Sequence, residues 1–280
     1  MPAKVRVHTM LNEKINLRET PTEHGFMPSV HTYILDKDPD VGLRPMIIVC
    51  PGGGYANVCE IWEGERVALA YNAVGFCALT LDYATAPHRY PEALCNIAAA
   101  IKLCRDRAEQ RQIDPKKIIV LGFSAAGHLA ANISTEWNNR EIFGDKAVDE
   151  KLYRPDYAVL CYPVITGGEE RHEGSFVNLS GSREESEWLK HSNEKRVSKD
   201  TPPTFIWHTF EDRCVPVANS LLYAEALRAN GVPFELHIYE KGDHGLSLST
   251  QRLYRNKPAL ARKYDWVENS VEWLCEHFDK

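Results

Sequence analysis

A serine hydroxyl is a weak nucleophile at neutral pH. A sequence that uses one must also supply a base, a group that orients the base, and donors for an oxyanion. Ser124 lies in GFSAAGHLAA, residues 122–131, directly after the apolar run KKIIVL. The pattern reads as a strand passing through a tight turn into a helix, with the serine at the turn, close to the G-x-S-x-G nucleophile elbow. Residues two before and two after such a serine crowd each other, which favours glycine at both. Gly122 meets this on one side, and Ala126 adds only a methyl on the other. The helix N-terminus that follows would favour a developing negative charge. The competing reading is a strand-to-helix turn capped by a serine.

The other three requirements have candidates at the ends of apolar runs. CPGGGYANV, residues 50–58, follows PMIIV, and three consecutive glycines let a backbone approach a ligand with its amides turned inward. A phosphate loop would need G-x-x-x-x-G-K-[ST], which is absent. An oxyanion hole fits better, with Gly53 and Gly54 donating from this loop and Ala125 from the residue after the nucleophile. FELHIYEKGDHGLSL presents His244 in a Gly-bounded loop after the last strand-like run, the placement of a general base. The competing readings are a solvated loop histidine and a metal cluster of Glu240, Asp243 and His244. TFIWHTFEDRCVPV offers Asp212, with Glu211 as the alternative, to receive the second imidazole N–H and hold its tautomer. Tyr55, Trp188 and Trp207 offer flat faces for a sugar ring, and a core or lid role competes with that reading.

The elements that must position these residues follow from the apolar pattern. HTYIL, PMIIVC, FCALTLDY, KKIIVLGFS, YAVLCYPVI, TFIWHT and FELHIYE are short runs, continuous rather than alternating, as expected of strands buried on both faces of a mostly parallel sheet. Helical periodicity separates them. In PEALCNIAAAIKLCRDRAEQ, Leu94, Ile97, Ala98, Ile101 and Cys104 recur at helical spacing, Pro91 suits the first turn, and DPKK breaks the helix. Leu260, Tyr264, Val267, Val271, Leu274 and Phe278 form a stripe that reads as the core face of a C-terminal helix. Alternating strands and helices predict a doubly wound α/β sheet, with ligands beyond the carboxyl ends of the strands. Residues 166–202 interrupt the alternation without a strand signal. Phe176, Leu179, Trp188 and Leu189 argue against disorder, so the segment reads as a small cap or lid, with a short helix near 186–191.

Composition bounds the class. With 280 residues, 44% hydrophobic and 26% charged, the chain can bury a full core, and one domain over 1–280 is expected. A formal net charge of −6 with dispersed Lys and Arg argues against nucleic acid as a partner. MPAKVRVHTM lacks the apolar core of a signal peptide, and no stretch approaches a bilayer span, so no membrane partner and a cytoplasmic location are expected. The eight cysteines include no C-x-x-C pair and read as thiols of the core and surface, without a metal site. The oligomeric state is open, and a homo-oligomer is compatible with the sequence.

Taken together, these segments resemble an α/β-hydrolase of the esterase and lipase superfamily, nearest the hormone-sensitive-lipase-like esterases and the related bacterial acetylxylan and feruloyl esterases. The resemblance runs from about Pro45 to His244 and rests on PGGGY, LDYATAPHRYPEAL, GFSAAGHLAA and the stretch from TPPTFIWHTFEDRC to KGDHGLSL. Pro51 stands where many relatives have histidine, and Ala126 where the elbow has its second glycine. Neither change removes a catalytic atom. The resemblance implies an α/β-hydrolase fold, a mostly parallel twisted sheet with helices on both faces and a small cap insertion. It also implies ester hydrolysis through an acyl-enzyme, without metal or cofactor, on a small-molecule ester, with acetylated carbohydrate expected by analogy alone. A peptidase or amidase on the same scaffold, and a ligand-binding protein without catalysis, are the alternatives.

Overall fold

The computed structural model describes residues 10–249 and 264–278. Leu260 of the expected C-terminal stripe and the N-terminal residues 1–9 lie outside the described residues. Among the described residues, nine strands form the sheet: β1 (Met10–Leu11), β2 (Lys14–Asn16), β3 (Ser29–Leu35), β4 (Arg44–Cys50), β5 (Cys77–Asp82), β6 (Ile113–Phe123), β7 (Tyr157–Cys161), β8 (Thr204–Thr209) and β9 (Phe234–Tyr239). The order is β1-β3-β5-β4-β6-β7-β8-β9, with β2 pairing β3 on the side. β1, β2 and β5 run antiparallel to β3, and every pairing from β5 to β9 is parallel.

The continuous apolar runs behave as two-faced strands. Met46, Ile48 and Cys50 of β4 enter one core with Ile118 and Val120 of β6, while Ile47 and Val49 enter the other with Ile119, Leu121 and Phe123. This is the period of two expected of a pleated strand. β9 is the edge strand, only partly buried.

The helices are α1 (Glu65–Asn72), α2 (Glu92–Asp106), α3 (Ala108–Arg111), α4 (Ser124–Glu136), α5 (Arg140–Phe143), α6 (Asp145–Asp149), α7 (Glu173–Ser180), α8 (Glu185–Leu189), α9 (Ala218–Ala229) and α10 (Trp266–Phe278). α2, α4 and α9 cover the first core, and α1 and α10 the second. A π-helical turn, Glu60–Gly64, precedes α1, and a 3₁₀ turn, Asn193–Lys195, follows α8. No described helix is long and apolar enough to cross a membrane.

Three boundaries differ from expectation. The helix read over 91–110 splits at Arg107 into α2 and α3, and the break before β6 is Gln112, in the left-handed region at φ 56°, rather than DPKK, which is already strand. Tyr264 precedes α10. That helix centres its buried face on Trp266, Ser270, Trp273 and Leu274, with Val267, Val271 and Phe278 at its margin, because the two indoles carry the larger apolar area. The segment 166–202 contains α7, α8 and the 3₁₀ turn, with Phe176 and Trp188 packed on Val164 and Val215.

Candidate active site

Four loops meet beyond the carboxyl ends of β4, β6, β8 and β9, whose last residues the parallel register keeps level: Cys50 pairs with Gly122, Phe123 with Cys161, and Thr209 with Tyr239. Ser124 follows β6 directly, with φ 54°, and opens α4. A non-glycine residue at positive φ is strained unless its surroundings hold it there. Here α4 is buried along all thirteen residues, and its small side chains let it lie against the sheet. A Cβ on Gly127 would come within 2.6 Å of Pro163, so that glycine is set by close packing.

His244 brings its Nε2 to 2.8 Å from the Ser124 hydroxyl and its Nδ1 to 2.6 Å from Asp212 Oδ2. The carboxylate only accepts, so Nδ1 carries the proton and Nε2 is free to accept from the serine. Asp212 is fully engaged. Its Oδ1 accepts the amides of Cys214 and Val215, each at 2.9 Å, and its Oδ2 also faces His208 Nε2 at 3.2 Å. Burial opposes ionisation of this carboxyl. The hydrogen bonds from His208, His244 and Val215 outweigh it and hold Asp212 well below the usual carboxylate range.

Glu211, the alternative orienting acid, turns to solvent and pairs with Lys241 at 2.7 Å. Glu240, from the alternative metal cluster, also lies against Lys241, at 3.1 Å. Among the described residues no group of three or more His, Cys, Asp or Glu side chains is placed to hold a metal ion.

The glycine loop turns two amides the same way. The Gly52 carbonyl accepts from Cys59 and the Gly53 carbonyl from Ala56 and Asn57. In trans peptides the following N–H points opposite, so the Gly53 and Gly54 amides face away from that turn, and neither has a protein partner among the described residues. Gly53, at φ 135°, has no room for a Cβ, which would stand 2.2 Å from the Asn57 carbonyl. Ala125 is the second residue of α4, where an amide has no acceptor within its own helix.

The three aromatic residues read as sugar-facing are corrected by burial. Trp207 is 0% exposed and stacks at 5.3 Å on Trp266 in the core. Trp188 is buried under the 166–202 segment, its indole N–H on the Ser182 carbonyl and Arg171 over its ring. Tyr55 is buried with its hydroxyl 3.0 Å from His128 Nδ1. Each ring carries a large apolar area that packing inward removes from water.

Sequence reasoning missed His208, His172 and Glu63. His208 is fully buried and holds Asp212 from behind. Its i, i+4 spacing from Asp212 at a strand end was the available signal. His172, in the 166–202 segment, is close enough to His244 and Asp212 to feel their charge, and burial lowers its pKa. Glu63 is buried between the glycine loop and Tyr162.

The BD-FAE family model matches residues 34–227, well over half of the chain. The chain belongs to the BD-FAE family. Endo-1,4-beta-xylanase B of Butyrivibrio fibrisolvens is 36% identical to it over 238 residues, 82% of this chain and 36% of that protein. Acetylxylan esterase of Xylanibacter ruminicola is 30% identical over 217 residues, 75% of this chain and 43% of that protein. The chain thus spans less than half the length of either relative. The crystal structure of an acetyl ester-xyloside bifunctional hydrolase from Caldicellulosiruptor lactoaceticus is similar over 94% of this chain and 96% of its own, with a TM-score of 0.80 at 39% identity. This BD-FAE chain is therefore an esterase- and lipase-like α/β-hydrolase, as the GFSAAGHLAA and KGDHGLSL segments led one to expect.

Proposed function

We propose that the chain is a serine esterase that removes short acyl groups, acetyl foremost, from carbohydrate esters through an acyl-enzyme. The observation that carries the reading is the Ser124–His244–Asp212 relay, at 2.8 and 2.6 Å, on a serine held at positive φ. The carbohydrate part is supported by the acetylxylan esterase and the acetyl ester-xyloside hydrolase among the similar proteins.

In this reading Ser124 Oγ attacks the ester carbonyl while His244 Nε2 takes its proton, and Asp212 favours the imidazolium that forms. The oxyanion receives the amides of Ala125, Gly53 and Gly54, which develop their full strength only toward the tetrahedral state. Collapse returns the proton from His244 to the departing alcohol and leaves the acyl group on Ser124. Water, deprotonated by the same imidazole, then releases the acid. The 166–202 segment forms the lid of this site, and its His172 lies within electrostatic reach of His244 and Asp212.

The test is acetate release from an aryl acetate, acetylated xylo-oligosaccharides, a longer acyl ester and a peptide amide, with Ser124→Ala as the blank. Acetate freed from the oligosaccharides and lost in the variant supports the proposal. Turnover of the amide in preference to the esters points to a peptidase, and a rate that survives Ser124→Ala sinks the assignment.

A further inference from the structure

Acyl transfer by the relay leaves one buried carboxylate beside it without a task. Glu63, 4% exposed, sits in the π-helical turn that follows the glycine loop. One of its oxygens accepts the Gly52 amide at 2.8 Å and the other accepts the Tyr162 hydroxyl at 2.6 Å. That hydroxyl in turn accepts the amide of Ser247, three residues beyond His244, at 2.9 Å. The same turn holds the histidine loop twice more: the Trp62 indole donates to the Gly245 carbonyl at 2.8 Å, and the Ser247 hydroxyl donates to the Trp62 carbonyl at 2.6 Å. The Tyr162 ring meets the His244 ring edge-on, with centroids 5.0 Å apart.

A buried carboxylate needs compensation, and the partners of Glu63 are hydrogen-bond donors, with no Lys or Arg among the described groups acting on it. The Gly52 amide can only donate. Tyr162, its oxygen already taking the Ser247 amide, gives its own proton to Glu63. Both carboxyl oxygens therefore receive protons, the pattern of the ionised form.

We propose that Glu63 is a positioning residue of the reaction, a second carboxylate that ties the oxyanion loop to the histidine loop and favours the His244 imidazolium by its charge. The inference rests on the serine-esterase reading. His244 is faced by Asp212 from the loop after β8, His172 from the cap segment, Tyr162 from the end of β7, and Glu63. Besides His244, Glu63 is faced by Cys161 at the end of β7, Tyr162 just after it, Tyr83 from beyond β5 and Cys59 just after the glycine loop, none of which carries positive charge. Asp212 occupies Nδ1, so Glu63 acts on the imidazole through space and through Tyr162. Burial holds the Glu63 pKa above the usual carboxylate value, and the Tyr162 and Gly52 hydrogen bonds and His244 offset that only in part.

Glu63→Gln keeps the volume and an acceptor for the Gly52 amide while removing the charge. The acid limb of kcat/KM on an aryl acetate is expected to move to lower pH by about half to one unit, with kcat lowered by up to about tenfold. The NMR titration midpoint of His244, followed in ring-¹⁵N-histidine protein and assigned by its loss in His244→Gln, moves the same way. Glu63→Asp keeps the charge and is expected to hold the limb and the midpoint close to wild type while lowering kcat. It also decides the matter if the glutamine variant does not fold, since a limb displaced to lower pH in the aspartate variant overturns the charge role. A limb and midpoint unmoved in Glu63→Gln overturn the proposal even if kcat falls, because packing alone would explain that loss. A wild type without Ser124-dependent esterase activity overturns the esterase reading instead, and the NMR midpoint then still decides whether Glu63 charges His244.

Discussion

A methyl group on Gly122 would stand 2.0 Å from the carbonyl oxygen of Ala126. That oxygen belongs to the backbone of the helix that carries Ser124, so it cannot swing aside. The two small residues flanking the serine are therefore not equivalent. Glycine is required before it, while the methyl of Ala126 is accommodated in the core under the sheet.

Gly122→Ala is accordingly expected to cost about 3 kcal/mol or more by overpacking. Where the variant folds, kcat falls about a hundredfold or more through a displaced Ser124. Ala126→Gly restores the usual elbow pattern and is expected to lose only about 0.5–1 kcal/mol from helix stability, with kcat near wild type. Urea denaturation and aryl acetate hydrolysis on both variants check this. Equal damage from the two would contradict the asymmetry.

Asp212 and Glu211 are adjacent in sequence and opposite in environment. Asp212 holds Nδ1–H of His244 at 2.6 Å in a buried ring of donors, while Glu211 sits at the surface on Lys241. Asp212→Asn leaves an amide that can present N–H to the imidazole and select the wrong tautomer, so kcat is expected to fall by about 10³–10⁴. Glu211→Ala should leave kcat and stability near wild type, because an exposed pair is screened. Steady-state kinetics on the two variants separates them.

Much of this was legible in the residues. Strands buried on both faces announce themselves as continuous apolar runs, and a small-residue helix after KKIIVLGFS can only be one packed tightly under the sheet. The relay was legible because each member sits just past such a run. Glu63 was not, since EIWEGER carries no motif and the side chain is turned inward by the Gly52 amide and by Tyr162, which follows β7 and is 99 residues away. Tyr55, Trp188 and Trp207 misled for a related reason. The sequence gives no measure of how much space the neighbouring strands leave, and a large ring fills whatever core volume is within reach.

Acid should weaken the fold before most carboxylates titrate. Burial lowers His128 from 6.5 to about 3 and His191 from 6.5 to about 4, and His128 donates its Nε2–H to the His191 carbonyl at 2.8 Å. The folded protein thus binds fewer protons than the unfolded chain below pH 6.5, so stability is full above that pH and lost as pH falls toward 4 and then 3. By pH 5 each histidine removes on the order of 2 kcal/mol. The carboxyls of Glu60, Glu63 and Glu194, raised by burial, act in the opposite sense above pH 4.5, and the loss from Asp212 comes below its unfolded value of 3.8. The informative quantity is therefore a difference: urea denaturation between pH 7.5 and 4.5 should show a shallower loss in His128→Gln than in wild type.

The segment 166–202 touches the glycine loop through Asn178 of α7, whose amide donates to the Gly54 carbonyl at 2.9 Å, and this contact would couple the proposed lid to the proposed oxyanion donors. Gly54 stands at φ 66° with nothing within 4 Å of where a Cβ would be. The hydrogen bond from the cap is what holds the carbonyl side, while the Gly53 carbonyl anchors the other side to Ala56 and Asn57. Asn178→Ala removes that hold without touching substrate or relay. The peptide that follows Gly54 is then free to turn, and the Gly54 amide, whose own peptide plane the Gly53 carbonyl still anchors, is loosened only through the backbone it shares with that peptide. Losing such a donor outright costs about 10²–10³ in kcat, and loosening one should cost about tenfold, with KM for a small aryl acetate little changed. Stability should fall by about 1 kcal/mol, the worth of one partly buried hydrogen bond. A kcat equal to wild type would mean that the Gly53 turn alone orients the loop and that the cap is not coupled to the chemistry.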